Sequence, residues 1–343
     1  MELYNKISAE ERRLLIEAEN TERLTLSFYK YNKILNPKLF RDYLFLHWNS
    51  MGVLGRIYIA HEGINAQLSL PAFKFKKFRT FLDEITFLKG VRLNIAVEQN
   101  DESFLKLTIK IKDKIVADGL DDSSFDVTQK GTHVNAKRFN ELLVEEDTLC
   151  LDMRNHYESE IGHFKGALTP DVDTFRESLP HIDQILAEQK KDKKLLMYCT
   201  GGIRCEKASA YFKHKGFKNV FQLEGGIIEY AKQVKAEKIK NQFIGKNFVF
   251  DERRGESISN CIIAKCHQCG YPCDTHVNCS NEACHLLFIQ CESCQDKRQA
   301  CCSSECQDIF NLPLENQKQL RKGKHNSNKI FRKGRSEFLK FKH

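Results

Sequence analysis

The sequence lacks the features of membrane, exported and repeat proteins. No run of about 18 apolar residues is present, so we expect no transmembrane helix. Residues 1–20 are charged and typical of a short helix, without the apolar core of a secretion signal. No internal repeat is visible, which argues against a solenoid. We therefore expect a cytoplasmic protein that makes no membrane contact.

Cysteine is nearly absent from the first 260 residues, where only Cys150, Cys199 and Cys205 occur. The other 11 of the 14 cysteines lie between Cys261 and Cys306. A chain of 343 residues with this distribution is not a disulfide scaffold. Such clustering in an intracellular chain indicates metal ligation rather than disulfide bonding.

Acidic and basic residues nearly cancel over most of the chain, although the formal net charge is +8. Residues 318–343 contain ten Lys or Arg and one Glu, a local charge of +9. The remaining residues carry 44 basic and 45 acidic side chains, or −1. The basic tail is thus either a nucleic-acid contact or a solvated, disordered terminus without a partner.

The order of the predicted strands and helices indicates a multidomain protein of mixed α/β and α+β class. Up to residue 111 the strands and helices follow the order βαββαβ with one extra strand, which indicates a ferredoxin-like α+β sandwich. Strands and helices then alternate, as in a parallel sheet covered on both faces. We divide the chain into a ferredoxin-like domain (1–117), a linker (118–133), a parallel-sheet domain (134–238), a connector with a small cysteine-rich module (239–312) and a basic tail (313–343).

The stretch from Leu195 to Cys205 carries the strongest chemical signal. An apolar strand ends at Tyr198, and a helix is predicted from Glu206 to Lys215. Cys199 therefore lies where backbone N–H groups and a helix dipole favour a thiolate, and it is the candidate nucleophile. The alternative is a buried structural cysteine before an ordinary turn. The loop itself consists of Cys199, Thr200, Gly201, Gly202, Ile203 and Arg204.

The cysteine-rich module contains two Cys-x2-Cys pairs, about 25 residues apart. This spacing is typical of a tetrahedral thiolate zinc site, because each short turn supplies two ligands. The candidate ligands are Cys266, Cys269, Cys291 and Cys294. The remaining cysteines, with His276 or His285, are candidates for a second site. Iron–sulfur ligation is the main rival, and free buried thiols are a third interpretation.

Several motifs together resemble a rhodanese domain. Asp152–Arg154, Glu158 and Gly162–Ala167 resemble its first conserved motif, Cys199–Arg204 its active loop, and Leu223–Gly226 its closing segment. Sulfur-handling rhodaneses have loops of six residues, as here, whereas the related phosphatases have one residue more. The resemblance implies a rhodanese-like parallel sheet over residues 134–238 and a persulfide-carrying Cys199.

A wider resemblance covers about residues 20–310. Gly55–Asn65, Cys199–Lys207 and Phe248–Arg253 with the following cysteines resemble the TrhO (YceA) family, the rhodanese-fold tRNA uridine hydroxylases. This resemblance implies conversion of the wobble uridine of tRNA, position 34, to 5-hydroxyuridine. It further implies molecular oxygen as co-substrate and Cys199 as the active-site cysteine. It identifies neither a sulfur donor nor an electron donor, and it does not cover the tail.

Other residues near these motifs have structural as well as functional interpretations. Cys205 is either a resolving thiol or a packed core thiol. Asp152 and Arg154 are expected to support the site as a structural pair rather than as acid and base. His163 is expected to be a structural hydrogen-bonding residue. His61 and Glu62 are candidates for RNA contacts.

Three functions are consistent with the sequence. The first is a tRNA uridine hydroxylase, and the second is a sulfurtransferase that takes sulfane sulfur from thiosulfate or a persulfide. The third is a zinc-bearing RNA-binding protein with an inactive rhodanese unit. The intact Cys199 loop argues against the third. The ferredoxin-like domain and the cysteine-rich module favour the hydroxylase over the sulfurtransferase, because a simple sulfurtransferase needs neither of them.

Overall fold

A computed structural model describes residues 9–19, 21–120, 125–322 and 339. The helices are α1 Ala9–Glu19, α2 Pro37–Ser50, α3 Phe75–Glu84, α4 Ala136–Leu143, α5 His156–Ser159, α6 Phe175–Leu186, α7 Ile203–His214, α8 Gly226–Glu237, α9 Glu292–Arg298, α10 Ser304–Phe310 and α11 Leu314–Arg321. The strands are β1 Arg23–Tyr31, β2 Leu54–Ala60, β3 Gly63–Pro71, β4 Asn94–Ile95, β5 Leu107–Ile111, β6 Thr132–Val134, β7 Thr148–Asp152, β8 Gly162–Phe164, β9 Lys194–Tyr198, β10 Asn219–Leu223, β11 Phe243–Asn247, β12 Glu256–Ser257, β13 His276–Asn278 and β14 Leu287–Ile289.

The N-terminal domain is a ferredoxin-like α+β sandwich, as predicted. Its sheet has the order β4-β1-β3-β2-β5, and the extra strand β5 lies parallel to β2 at one edge. Asn36 caps α2 by accepting a hydrogen bond from the Leu39 N–H at 3.0 Å, and Pro37 starts the helix. Helices α2 and α3 bury Trp48 and Phe78 against one face of this sheet, which forms the domain core.

The second domain has the predicted parallel sheet, in the order β6-β10-β9-β7. A core containing Leu179 and Met197 covers one face, and a second core containing Phe139 and Tyr198 covers the other. Strand β9 lies between β10 and β7. The residue that follows β9 therefore emerges at the carboxyl edge of the sheet, between two neighbouring strands.

Two predicted boundaries differ from the structure. The end of the predicted linker (118–133) belongs to the parallel sheet, because Thr132 at the start of β6 is paired with Phe221 of β10. The start of the predicted connector (239–312) is also joined to the preceding domain, because β11 pairs with β8. Strand β8 has only three residues and pairs with a segment about 80 residues later, so neither strand shows a local signal.

The two ends of the chain are described only in part. Helix α1 covers most of the predicted N-terminal helix, and residues 1–8 and 20 lie outside the described residues. Within the predicted tail (313–343), α11 is described, whereas residues 323–338 and 340–343 are not. Leu339 is buried in a core that includes Val277 and Phe288. Among the described residues, no helix is both long and apolar enough to cross a membrane.

A buried cation joins the first two domains. The Lys207 side chain on α7 is fully buried, and its Nζ lies 2.6 Å from Glu62 of the first domain and 2.8 Å from Asp118. Asp118 is fully buried as well, and its other carboxylate oxygen accepts a hydrogen bond from Lys114 at 2.8 Å. The contact therefore depends on Lys207, which is shared by two carboxylates, while Lys114 adds a second positive charge to Asp118.

Replacing Lys207 by Met should lower the free energy of unfolding of the protein, because the buried charge of Asp118 is then less fully compensated. Breaking a buried ion pair from one side costs about 3–5 kcal/mol. The free energy of unfolding from urea titration measures the loss. Lys213→Met on the same helix is the matched control, since Lys213 is exposed and should change stability by less than about 0.5 kcal/mol. Equal unfolding curves for the two variants would contradict this role of Lys207.

Candidate functional site

Cys199 lies immediately after β9, at the carboxyl edge of the parallel sheet. The apolar strand, the abrupt turn and α7 occur where the sequence predicts them, although α7 begins at Ile203 rather than at Glu206. The Cys199 side chain is fully buried. The nucleophile candidate is thus held at the base of a closed loop rather than at an open surface.

Backbone amides of the loop converge on the Cys199 sulfur. The Gly202 N–H donates to Sγ at 3.1 Å, and the amides of Arg204 and Cys205 also lower the pKa of the Cys199 thiol. Gly202 has a φ of 101°, a left-handed conformation that few side chains tolerate. A Cβ there would lie 2.9 Å from the Tyr29 hydroxyl. The glycine therefore permits both the turn of the loop and the approach of the first domain.

These donors overcome the effect of burial on the thiol. Burial by itself raises the pKa of Cys199, but a hydrogen bond from the Cys205 thiol, the charge of Arg204 and the loop amides lower it to about 6. Burial and the neighbouring Cys199 raise the pKa of the Cys205 thiol well above its usual range. Cys205 is thus a protonated donor beside the thiolate. Cys205 is also fully buried in the apolar core that contains Leu179 and Met197, as the interpretation of a packed core thiol expected.

Arg204 is held by a carboxylate from the preceding motif. Its guanidinium makes two hydrogen bonds to Glu158, at 2.7 and 2.8 Å, and both side chains are buried. The Asn155 N–H also donates to Glu158 at 3.1 Å. Burial favours the neutral acid, but Arg204 lowers the pKa of Glu158 below its ordinary value. The sequence motif contains Glu158, but nothing local indicates that it orients Arg204.

Asp152 and Arg154 lie beside the strand that carries Cys199 rather than at its sulfur. They form a fully buried ion pair at 2.6 Å. The Tyr198 hydroxyl donates to Asp152 at 2.7 Å, and Arg154 donates to the Gly162 carbonyl at 2.6 Å. Both residues therefore fix the base of the loop in position, Asp152 through Tyr198 on β9 and Arg154 through Gly162 on β8.

The glycine pair before α8 closes the loop from the other side. The Ile227 N–H donates to the Cys199 carbonyl at 3.0 Å, and the Ile228 N–H donates to the Thr200 carbonyl at 3.3 Å. Gly226 has a φ of 66°, and a Cβ on it would lie 2.5 Å from the Cys199 carbonyl oxygen. Only glycine permits this close approach of α8 to the backbone of the loop.

The first domain covers the loop, an arrangement that the sequence did not indicate. Asn94 on β4 donates from Nδ2 to the Gly201 carbonyl at 3.2 Å, and Tyr29 on β1 donates to Glu206 at 3.0 Å. The buried Asn94 Oδ1 has no hydrogen-bond partner among the described residues. Beside Thr200 a narrow crevice of about 50 Å³ runs between the first domain, the loop and the connector.

The histidines singled out in the sequence lie away from the sulfur. His163 on β8 contacts the Phe164 carbonyl at 3.1 Å, and His61 contacts the Ile34 carbonyl at 3.0 Å. Glu62, a candidate for RNA contact, instead holds Lys207 and accepts a hydrogen bond from the Ile115 N–H at 2.7 Å. Of these three, only His61 is exposed.

The four predicted metal ligands lie together. The sulfurs of Cys266, Cys269, Cys291 and Cys294 are all within 4.8 Å of one another, and those of Cys269 and Cys291 are 3.6 Å apart. A tetrahedral ion with metal–sulfur bonds of about 2.3 Å needs sulfurs about 3.8 Å apart. An iron–sulfur cluster places sulfide bridges between its irons and so needs thiolates farther apart. The cysteine-rich region could therefore hold a metal ion, with a geometry that fits a single ion.

Comparison with known proteins gives three matching family models and full-length relatives. The models are described as a UPF0176 acylphosphatase like domain (residues 23–115), a rhodanese-like domain (135–233) and a rhodanase C-terminal domain (244–307). A Leptospira interrogans protein named "tRNA uridine(34) hydroxylase" is 53% identical over 97% of this chain and 90% of its own. Proteins of the same name from Pectobacterium atrosepticum and Salmonella newport are 53% and 52% identical, over 97% of this chain and 94% and 95% of theirs.

The amides and charge around Cys199 predict a thiolate at neutral pH. With a pKa of about 6, the thiolate should form as the pH rises through about 6, whereas an ordinary thiol ionises near 9. The ultraviolet absorbance of thiolate, taken as the difference between the protein and its Cys199→Ser variant, reports this ionisation without requiring access to the sulfur. A midpoint near 9 would mean that the loop does not stabilise the anion.

Proposed function

Because the chain belongs to the tRNA uridine(34) hydroxylase family, we propose that it hydroxylates carbon 5 of the wobble uridine in tRNA, with Cys199 as the reacting nucleophile. The observation that carries the proposal is identity of about half of all residues over 97% of the chain. A rhodanese domain alone fits several chemistries. The likeness extends over all three matched domains, including the first domain, which covers the Cys199 loop.

In this function the loop supplies a buried thiolate. The amides of Gly202, Arg204 and Cys205 stabilise negative charge on the sulfur, as an oxyanion hole does for oxygen. Glu158 keeps Arg204 beside the loop, so Arg204 and Glu158 are positioning residues. Because Cys199 has no exposed surface, the contacts of Tyr29 and Asn94 with the loop must open before a nucleotide can reach the sulfur.

The reaction also requires an oxidant and a reductant. Replacing the C5 hydrogen by a hydroxyl group removes two electrons from the uridine. The resemblance implies molecular oxygen as co-substrate, and oxygen takes up four electrons when one atom enters the product and the other becomes water. A donor must therefore supply the other two electrons. The chain's own contribution is to bind the tRNA and to hold the thiolate.

The remaining assignments extend the same proposal. We assign zinc to Cys266, Cys269, Cys291 and Cys294, because four thiolates at these separations match its preferred site.

The domain boundaries stay as predicted, except that β6 and β11 join the parallel-sheet domain. We also propose a cytoplasmic location, because tRNA is the proposed substrate. Sulfur transfer from thiosulfate or a persulfide is the second candidate function, favoured by the loop of six residues.

Replacing Cys199 by Ser should abolish 5-hydroxyuridine at position 34, because a serine hydroxyl is not ionised at neutral pH. The measurement is mass spectrometry of tRNA nucleosides from a deletion strain that carries the variant. Cys261→Ser is the matched control, since Cys261 is exposed and is not one of the four clustered metal-ligand candidates, and it should restore the wild-type level. Modification retained by Cys199→Ser, together with loss of thiosulfate sulfur transfer, would instead support the sulfurtransferase.

The basic tail should strengthen tRNA binding without taking part in the chemistry. Replacing the ten Lys and Arg residues between Lys318 and His343 by Gln keeps Leu339, which is buried against the cysteine-rich module. Lysine and arginine side chains that neutralise phosphates release counterions, so their removal should lower affinity and reduce the salt slope by about one for each phosphate that is no longer neutralised. The rate at saturating tRNA should stay the same. Superimposable plots of log affinity against log salt would show a solvated terminus.

A further inference from the structure

The cysteine-rich module contains a second group of four thiols. The sulfurs of Cys279, Cys284, Cys302 and Cys306 all lie within 4.8 Å of one another. Those of Cys284 and Cys302 are 3.6 Å apart, and those of Cys302 and Cys306 are 3.7 Å apart. These separations are close to the edge of about 3.8 Å that a tetrahedral thiolate site requires. They are much too long for disulfide bonds.

The local structure holds these thiols in place. The turn after β13 brings Cys279 back toward β14, with its N–H donating to the Leu286 carbonyl at 2.8 Å. The Ser303 hydroxyl caps α10 by accepting from the Cys306 N–H at 3.2 Å, which fixes Cys306 in the first turn of that helix. The Cys302 N–H donates to the Cys279 sulfur at 3.5 Å, a bond that favours its anionic form.

Histidine does not join this group. His276 and His285, which the sequence left as candidates for a second site, are absent from both ligand groups in the described residues. The buried ring of His276 instead packs edge-on against Phe248, with centroids 5.1 Å apart. The second group is therefore all thiolate, and it is suited to a soft, tetrahedral divalent ion.

The two groups alternate along the chain. The first and third cysteine pairs, Cys266/Cys269 and Cys291/Cys294, form one group, and the second and fourth pairs form the other. We propose that the module binds two tetrahedral metal ions in this crossed arrangement, with Cys279, Cys284, Cys302 and Cys306 as the ligands of the second. Each ion closes a loop that contains one ligand pair of the other.

The crossed arrangement makes the ions interdependent. Strands β13 and β14 have only three residues each, so the hairpin is too short to be stable alone. The cores around the two groups are small and consist partly of the cysteines themselves. Metal binding therefore supplies much of the folding free energy of the module. Loss of the second ion should weaken binding of the first.

The test is elemental analysis of the full-length protein, purified without chelator. We expect about two equivalents of zinc per chain. Two equivalents of iron instead would support the same two sites, with iron as the bound metal. After exchange with the NMR-active cadmium isotope, two resonances in the tetrathiolate range are expected. About one equivalent of metal in total, or a single tetrathiolate resonance, would overturn the second site. These measurements are independent of tRNA hydroxylation, so failure here leaves the proposed function intact.

Variants locate the second ion. Cys306→Ser should lose about one equivalent of metal and release the remaining one more readily to a chromophoric chelator, whereas Cys261→Ser should retain both. Cys273 is buried but outside both groups, so Cys273→Ser controls for the loss of a buried thiol and should also keep both ions. Retention of both ions by Cys306→Ser, or loss of one by Cys273→Ser, would contradict the ligand assignment. The wild-type measurement decides the number of ions even if Cys306→Ser does not fold.

Discussion

Stabilisation of a buried anion is the constraint on which the site depends. Cys199 lies in the interior, where burial favours the neutral thiol, yet its pKa is lowered to about 6. The loop must therefore direct its amides at the sulfur, and Arg204 must remain close. Gly202 allows the loop to curl, and Glu158 holds Arg204 without leaving a buried carboxylate unpaired. The loop, the first rhodanese motif and the closing glycines together meet this one requirement.

The domains are joined largely by polar contacts around the same loop. Lys207 and Glu206, both on α7, contact Glu62 and Tyr29 of the first domain. The connector reaches the first domain as well, since Arg253 donates to the Glu98 carbonyl at 2.6 Å. Polar contacts of this kind fix an orientation more than they add stability. Some of them also lie beside the Cys199 loop, so the proposed access of a nucleotide to the sulfur requires these contacts to break.

The cysteine-rich module achieves stability by other means. It has little apolar material, and its two small cores are built around thiols rather than around large side chains. Eight of its cysteines lie in two groups of four. Metal ligation can replace a hydrophobic core in such a small unit. The module packs against the second domain through Tyr157 and Phe248.

Local patterns in the sequence determined the element types, the ferredoxin-like and parallel-sheet domains, the position of Cys199 at a strand end and the first group of four cysteines. Hydrophobic periodicity, turn residues and short cysteine spacings act over a few residues, so they can be read without the fold. Strand β8 lacked such signals, because a three-residue strand is stabilised mainly by its partner β11.

Only the tertiary structure decided which distant groups meet. Glu158 and Arg204 are 46 residues apart, and Tyr29 and Glu206 are 177 apart, yet each pair is in direct contact. The sequence left the ligands of a second group open, and their identity as four thiols without a histidine follows from how the hairpin and helices fold back on one another. Burial of Cys199 beneath the first domain has the same origin. Each arrangement depends on complementary surfaces that form after the elements pack, and no local pattern in the chain encodes it.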